Sequence, residues 1–249
     1  MKVSIVIPTV NEAETIPLQV RRCLALSPRP EVIVADGGST DETLGLAEKA
    51  GAFALACPVR GRARQMNAGA SRACGDVLLF LHADVTLPQE AYTAMRRALH
   101  DPDVIGGAFR RRFDGGSRLL RLGCRLADLR GAACGIFLGD QAMFLRRDRF
   151  HRLGGFPEML LFEDLALSLK LRRLGTTRFV RATVVASGRR FRREGNLRRL
   201  ARNLWLTFRY FTGADPDHLA RGYYPGYFVD PGDRQEKRLA GGKVLGGRP

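Results

Sequence analysis

The chain has 249 residues, enough for one large domain with a complete hydrophobic core. Its apolar fraction of 45% is typical of a globular protein, and no uninterrupted apolar run of about 18 residues predicts a membrane-spanning helix. Five widely separated cysteines without a CxxC pair argue against a zinc knuckle and a disulfide framework. The net charge of +16 is concentrated in residues 101–249, which carry a balance of +15. A surface this basic suits nucleic acid, an anionic membrane face or diphosphate groups.

Residues 1–100 alternate short apolar runs with stretches of helical spacing. The runs at 3–8, 31–35, 52–56 and 77–81 predict strands, and the stretches between them predict helices. Short links between such units favour a parallel sheet with right-handed crossovers. We therefore expect an α/β fold with a Rossmann-like, mostly parallel central sheet flanked by helices.

Polar residues follow three of these runs, at 8–12, 36–41 and 82–84. The carboxyl ends of parallel strands meet at one edge of a sheet, where open α/β sheets bind ligands. His82 and Asp84 are two residues apart, so an extended chain would point both to the same side. Asp84 is therefore predicted to hold a divalent metal on a nucleotide diphosphate. No GxGxxG motif follows the first run, which disfavours a dinucleotide site.

The second half of the chain is less regular. The predicted elements are a strand at 106–113, a helix at 119–129, strand pieces at 135–138 and 141–145, helices at 147–153 and 162–174, a strand at 177–186 and a helix at 196–211. The last helix is basic and amphipathic. We favour packing of its apolar side on the core over a role at a membrane surface. Residues from 230 onward are rich in glycine and charge, which predicts a disordered tail.

Five short motifs carry a family resemblance. They are VIPTVNE at 6–12, DGGSTD at 36–41, HAD at 82–84, GDQ at 139–141 and ED at 163–164. Over roughly residues 2–212 the chain resembles family 2 glycosyltransferases of the GT-A fold. The residues in and around these motifs are most similar to those of a bacterial subgroup associated with arsenosugar biosynthesis or radical-SAM enzymes.

The resemblance also implies a domain organisation. A single GT-A domain would occupy 1–212, with a nucleotide-binding half at 1–100 and an acceptor-binding half at 101–212. The remaining residues, 213–249, would form a partly disordered extension.

The resemblance implies a nucleotide-sugar donor, UDP-linked. The implied donor-binding residues are Pro8, Thr9, Asn11, Glu12, Asp36, Arg62, Arg64, Asn67, His82, Ala83 and Asp84. The Asp36 carboxylate would accept the imide N–H of uracil, and Asp84 would coordinate Mg²⁺ or Mn²⁺ on the diphosphate. His82 departs from the pattern, since the family has an aspartate there. Imidazole is a poor Mg²⁺ ligand, so ligation of Mn²⁺, packing and a phosphate hydrogen bond all stay open for His82.

The ED motif implies a catalytic base. Asp164 would take the proton of an acceptor hydroxyl as it attacks the anomeric carbon, with inversion. The resemblance places the acceptor or diphosphate beside further residues, namely Asp140, Gln141, Glu163, Arg189 and Arg190. The sequence specifies neither the sugar nor the acceptor.

Two other functions are weaker alternatives. A nucleotidyltransferase would carry a glycine-rich loop with a lysine after the first strand, where this chain has Thr9 to Glu12. A nucleic-acid-binding protein would explain the charge but not the acids at the strand ends, and no recognisable nucleic-acid motif is present. We expect no nucleic-acid partner and a cytoplasmic location. Contact of helix 196–211 with the inner face of the membrane stays open.

Overall fold

The computed structural model describes residues 1–115 and 117–223, except for the side chain of Arg190. The strands in those ranges are β1 (Val3–Thr9), β2 (Glu31–Asp36), β3 (Phe53–Ala56), β4 (Val77–Phe80), β5 (Val85–Thr86), β6 (Val104–Phe113), β7 (Phe144–Arg146) and β8 (Thr176–Ala186). They form one sheet in the order β3-β2-β1-β4-β7-β6-β8-β5. Pairs β1–β2, β1–β4, β2–β3 and β6–β8 are parallel. Strand β7 pairs antiparallel with β4 and β6, and β5 pairs antiparallel with β8. The predicted α/β fold with a mostly parallel central sheet is confirmed.

Helices cover both faces of this sheet. They are α1 (Ile16–Leu24), α2 (Thr43–Lys49), α3 (Arg62–Arg72), α4 (Gln89–Ala98), α5 (Arg118–Cys134), α6 (Arg147–Arg152), α7 (Glu163–Leu174), α8 (Arg189–Glu194), α9 (Asn196–Phe211) and α10 (Pro216–Tyr223). Side chains alternate along β1, so Ile5 and Ile7 join one core cluster with α1, α2 and α4. Val6 joins the opposite cluster with α3, α6 and α7. None of the helices in the described ranges is long and apolar enough to span a bilayer.

Strand β4 lies at the centre of the sheet, and all four of its residues are buried. The expectation that the extended chain continues through Asp84 is wrong. The Val85 amide donates a hydrogen bond to the His82 carbonyl at 3.0 Å, which turns the chain directly after Leu81. His82 and Asp84 therefore come together through a turn and not through strand alternation.

The strand pieces predicted at 135–138 and 141–145 are also largely wrong. Gly135 ends α5 in the left-handed conformation, and residues 139–141 form a 3-10 turn before the short strand β7. The sequence patterns did not predict α4, α8 or α10. Helix α10 lies within the predicted extension at 213–249, of which residues 224–249 are outside the described part of the chain.

Helix α9 contradicts the favoured interpretation of its apolar side. Its buried residues are Arg199 and Leu206, whereas Leu204 and Phe208 are each 64% exposed. The helix packs beside α5 and α8 and does not lie on the sheet. Amphipathic spacing identified the apolar side correctly, but the core does not cover it.

Strand β6 passes its neighbours at a distance that only glycine permits. A Cβ at Gly107 would lie 1.9 Å from the Arg178 carbonyl oxygen of β8 and 3.0 Å from the Phe144 ring. We expect Gly107→Ala to lower the free energy of unfolding by about 3 kcal/mol through overpacking. Urea denaturation measures this change. Gly45→Ala in α2 is the control, since no atom lies within 4 Å of its Cβ position and alanine favours a helix by about 1 kcal/mol.

Candidate active site

A cleft of about 840 Å³ opens beside the carboxyl ends of β1 and β4. Many of the predicted site residues line it together, namely Pro8, Thr9, Glu12, Arg62, His82, Ala83, Asp84, Asp140 and Asp164. The turn after β4 and the first turn of α7 supply the acids at its centre. The cleft therefore joins donor-binding candidates of the first half to the candidate base of the second half.

Asp84 stands in the turn that follows β4. Its backbone carbonyl accepts a hydrogen bond from the Ser187 amide at 2.9 Å, which fixes the turn against the end of β8. Within the described ranges the Asp84 carboxylate has no hydrogen bond or ion pair, so its oxygens are available in the cleft. No three His, Cys, Asp or Glu residues of those ranges are grouped closely enough to hold a metal by themselves. A single carboxylate, completed by phosphate and water oxygens, is a usual set for Mg²⁺ and fits this arrangement.

Asp164 is buried, with 8% of its surface exposed. The Leu165 amide donates to Oδ1 at 2.7 Å, and the Gly139 amide donates to Oδ2 at 2.5 Å. Burial raises the pKa of Asp164 to about 6; the neighbouring Glu163 raises it too, while Arg62 and the two amides oppose the shift. An acid with this pKa is ionised at neutral pH and basic enough to accept a proton.

His82 lies beside Asp164, separated by the Gly139 backbone. A Cβ at Gly139 would be 2.8 Å from His82 Nε2 and 3.1 Å from Asp164 Oδ2, so this close approach requires glycine. Burial and the nearby Arg62 lower the pKa of His82 to about 4, against the opposite influence of Asp84 and other acids. The imidazole is therefore neutral at physiological pH, with a nitrogen lone pair available as an acceptor.

Glu163, the other acid of the ED motif, is 1% exposed and forms an ion pair with Arg62. Its Oε2 is buried without a hydrogen-bond partner in the described ranges. The pair connects the start of α3 to the start of α7. It holds a guanidinium at the cleft while neutralising a buried carboxylate.

A second ion pair joins Arg111 of β6 to Asp140. The Arg111 side chain is 10% exposed and lines the cleft with Asp140. Sequence reasoning missed Arg111. Strand alternation was the available signal, because it places Arg111 on the opposite face from Arg110 and Arg112. Gln141 is buried and accepts the Leu138 amide at 3.0 Å, so it supports the turn and does not line the cleft.

The loops after β1 and β2 bind each other. The Asp36 carboxylate accepts the Gly38 amide at 3.1 Å, the Ser39 amide at 2.8 Å and the hydroxyls of Thr9 and Ser39. Asn11 adopts the left-handed conformation, and its Oδ1 accepts the Thr40 amide at 2.8 Å. Neither Asp36 nor Asn11 lines the cleft, so a uracil N–H would have to displace one of the Asp36 hydrogen bonds.

Three more predicted residues lie outside the lining of the cleft. Arg64 pairs with Glu158 at 3.1 Å, Asn67 exchanges two 2.9 Å hydrogen bonds with the Phe156 backbone, and Arg189 is exposed. The side chain of Arg190 is outside the described part of the structure. Gln65, which the sequence did not single out, lines the cleft and donates to the carbonyls of Thr9 and Ala35 at 2.8 Å each. It thereby ties β1 to β2 beneath the site.

Comparison with known proteins identifies the family of this chain. The model described as glycosyl transferase family 2 matches residues 4–151, more than half of the chain. The chain belongs to glycosyl transferase family 2. This membership favours the predicted transferase over both the nucleotidyltransferase and the nucleic-acid-binding alternatives.

Several curated relatives share the name undecaprenyl-phosphate 4-deoxy-4-formamido-L-arabinose transferase. The protein of Enterobacter sp. (strain 638) is 33% identical over 164 residues, and that of Sodalis glossinidius (strain morsitans) is 32% identical over 162 residues. Each match covers 60% of this chain and 49% of the relative. The chain thus spans about half the length of the curated relatives it matches.

Solved structures show the same fold. The mannosyltransferase PcManGT from Pyrobaculum calidifontis, in complex with GDP-Man and Mn²⁺, matches with a TM-score of 0.63 at 20% identity, covering 96% of this chain and 79% of that chain. TarS 1-349 from S. aureus, in complex with UDP-GlcNAc, matches with a TM-score of 0.60 at 18% identity, covering 75% and 58%. The predicted GT-A fold is confirmed.

Removing Arg62 should expose the dependence of Glu163 on its partner. We expect Arg62→Ala to lower the free energy of unfolding by about 3 kcal/mol, because a buried carboxylate loses its counter-charge. Arg64→Ala, on the same helix, is the control. Its ion pair with Glu158 is exposed and should contribute less than about 1 kcal/mol. Equal losses in urea denaturation would contradict the special role of the buried pair, and the double variant Arg62→Ala/Glu163→Gln should recover most of the loss.

Proposed function

We propose that this protein transfers a sugar from a nucleotide-sugar donor, UDP-linked, to an acceptor hydroxyl with inversion at the anomeric carbon. The observation that carries the proposal is that two acids with different surroundings line the same cleft. Asp84 presents an unpartnered carboxylate after the central strand, and Asp164 presents a buried carboxylate of raised pKa. Complexes of matching structures with UDP-GlcNAc and with GDP-Man and Mn²⁺ support a nucleotide-sugar donor.

On the donor side, Asp84 would hold Mg²⁺ or Mn²⁺ against the diphosphate. The metal would supply a positive charge that stabilises the leaving nucleoside diphosphate. Arg62 lines the same cleft and would share this task, while Pro8, Thr9 and Glu12, which also line it, would contact the nucleoside. Asp36 and Asn11 would act by fixing the shape of that loop.

On the acceptor side, Asp164 would take the hydroxyl proton. The acceptor oxygen forms a bond to C1 as the bond from C1 to the β-phosphate oxygen breaks. The proton goes to Asp164, and the electron pair leaves with the diphosphate. A single displacement of this kind inverts the anomeric carbon, and the site needs no carboxylate nucleophile. The Gly139 and Leu165 amides would hold Asp164 in place.

The setting of the reaction is part of the proposal. The protein would act in the cytoplasm, with the basic helix α9 at the inner face of the membrane. Undecaprenyl-phosphate, in the name of the curated relatives, is a phosphate on a long apolar chain and supports a reaction near the bilayer. The subgroup associated with arsenosugar biosynthesis stays an inference from resemblance.

Asp84→Ala should abolish the metal-dependent part of donor binding. UDP with Mn²⁺ is expected to raise the melting temperature of the wild-type protein, since a ligand that binds the native state stabilises it by mass action. The variant should show no Mn²⁺-dependent shift, while its melting temperature without ligand stays near that of the wild type. Asp103→Asn, an exposed carboxylate outside the cleft, is the control and should respond like the wild type. A full Mn²⁺-dependent shift in Asp84→Ala would contradict the metal assignment.

Asp164→Asn should keep UDP binding and lose turnover of a UDP-sugar by about 10²- to 10⁴-fold, the usual contribution of a general base.

The pH profile gives a second test. Because burial raises the pKa of Asp164 to about 6, the base is protonated below that pH, and kcat/KM should fall as pH drops through 6 and level off above 7. A profile whose acid limb lies near 4 would count against a buried base.

A further inference from the structure

Helices α5 and α9 present a group of exposed apolar side chains. We call it the α5–α9 face; its members are Leu122, Leu126, Leu129, Leu197, Leu204, Trp205, Phe208 and Phe211. Each of these side chains is between 52% and 69% exposed. Single exposed apolar residues are common, but a contiguous group on two adjacent helices marks an interaction site.

The spacing places the exposed apolar residues of each helix in a stripe along one side. On α5 the leucines 122, 126 and 129 follow each other at intervals of four and three, which places them on one side of the helix. On α9 the residues 197, 204, 208 and 211 do the same. The two helices meet where a Cβ at Gly123 would lie 3.6 Å from Leu200. The stripes therefore form one surface.

Arginines flank both stripes. Exposed arginines on the two helices are Arg118, Arg121, Arg125, Arg198 and Arg209. Two acids on α5 and α8 are paired with other arginines, Asp128 with Arg110 and Glu194 with Arg199 and Arg202. A basic rim around an apolar stripe matches an anionic lipid surface. A second copy of the chain fits less well, because a two-fold interface would bring the same arginines against each other.

The α5–α9 face continues into the cleft. Leu122 and Leu126 of α5 and Leu204 of α9 belong to both, and Leu119 and Leu200 extend the apolar wall inward. The other end of the cleft holds Asp84, Asp164 and the paired arginines. One continuous cavity thus runs from apolar walls at the surface to charged groups at the site of reaction.

We propose that the α5–α9 face lies on an anionic bilayer and that the acceptor is a lipid from that bilayer. Its apolar chain lies between α5 and α9, and its polar headgroup reaches Asp164. The assignment of the acceptor rests on the proposed glycosyltransferase function. The contact with the bilayer does not.

Vesicle binding tests the membrane contact with the full chain. The protein should sediment with phosphatidylcholine vesicles that contain about one third phosphatidylglycerol and bind pure phosphatidylcholine at least tenfold more weakly. Trp205→Ser/Phe208→Ser should lower binding to the anionic vesicles by about tenfold or more, since each ring buries apolar area in the interface. Phe53→Ser is the matched control, because Phe53 is 52% exposed on β3, away from the face. Equal binding by all three proteins, or a dimer that the Trp205→Ser/Phe208→Ser variant disrupts without any vesicle binding by the wild type, would overturn the proposal.

A single-chain lipid tests the acceptor site. Lysophosphatidylglycerol, used below its micelle concentration, carries one apolar chain, a phosphate and hydroxyls. The comparison ligand is the soluble headgroup of this lipid, which has the same polar groups without the chain. The wild-type protein should bind the lipid at least tenfold more tightly than the headgroup. Leu126→Ser/Leu204→Ser should remove most of that preference while Mn²⁺-dependent UDP binding stays unchanged.

The two failures are distinguishable. A wild-type protein that binds UDP with Mn²⁺ but shows no preference for the lipid over its headgroup would overturn the lipid acceptor and leave the transferase. A protein that binds lipid but no nucleotide would overturn the transferase and the acceptor assignment together, while the vesicle result would still decide the membrane contact.

Discussion

The hydrogen bond from the Gly139 amide to the Asp164 carboxylate is the contact on which the site depends. It joins the turn at 139–141 to the first turn of α7. Because Gly139 has no side chain, the His82 imidazole from the end of β4 can lie beside the same carboxylate. Three separate parts of the chain therefore meet around one buried acid. The burial that results raises its pKa and makes a base of an ordinarily weak proton acceptor.

The charges around that acid are arranged in pairs. Glu163 is neutralised by Arg62, and Asp140 by Arg111. Each pair keeps a guanidinium at the cleft without leaving a buried charge alone, which would cost several kcal/mol. Asp84 differs, since its carboxylate has no partner in the described ranges. The site thus contains acids in three different environments, and among the described acids that line the cleft Asp84 is the one whose carboxylate has no hydrogen bond or ion pair.

The cleft changes in character along its length. Its inner end is lined by the acids and arginines, and its outer end by leucines of α5 and α9. A cleft that is charged at one end and apolar at the other suits a ligand with a polar group at one end and an apolar part at the other. This arrangement links the chemistry at Asp164 to the exposed face of the two helices.

Much of the first half of the site was predictable from the chain alone. Strand and helix alternate locally, so the sheet and the polar edge at 8–12 and 82–84 followed from periodicity. Individual roles were less predictable. Arg64 and Asn67 carry suitable groups, yet each is engaged by a loop that is distant in sequence. Asp36 is engaged by its own loop and by Thr9. Local pattern does not reveal which long-range partner a polar side chain will find.

Hydrophobic periodicity alone predicts the α/β alternation, the buried central strand and the apolar side of α9. Tertiary packing leaves this apolar side exposed, brings Arg111 against Asp140, and places His82 beside Gly139 through a turn. The physical reason is the same in each case. Periodicity reports which side of an element is apolar, whereas packing between distant elements decides what covers that side and which charges become buried together.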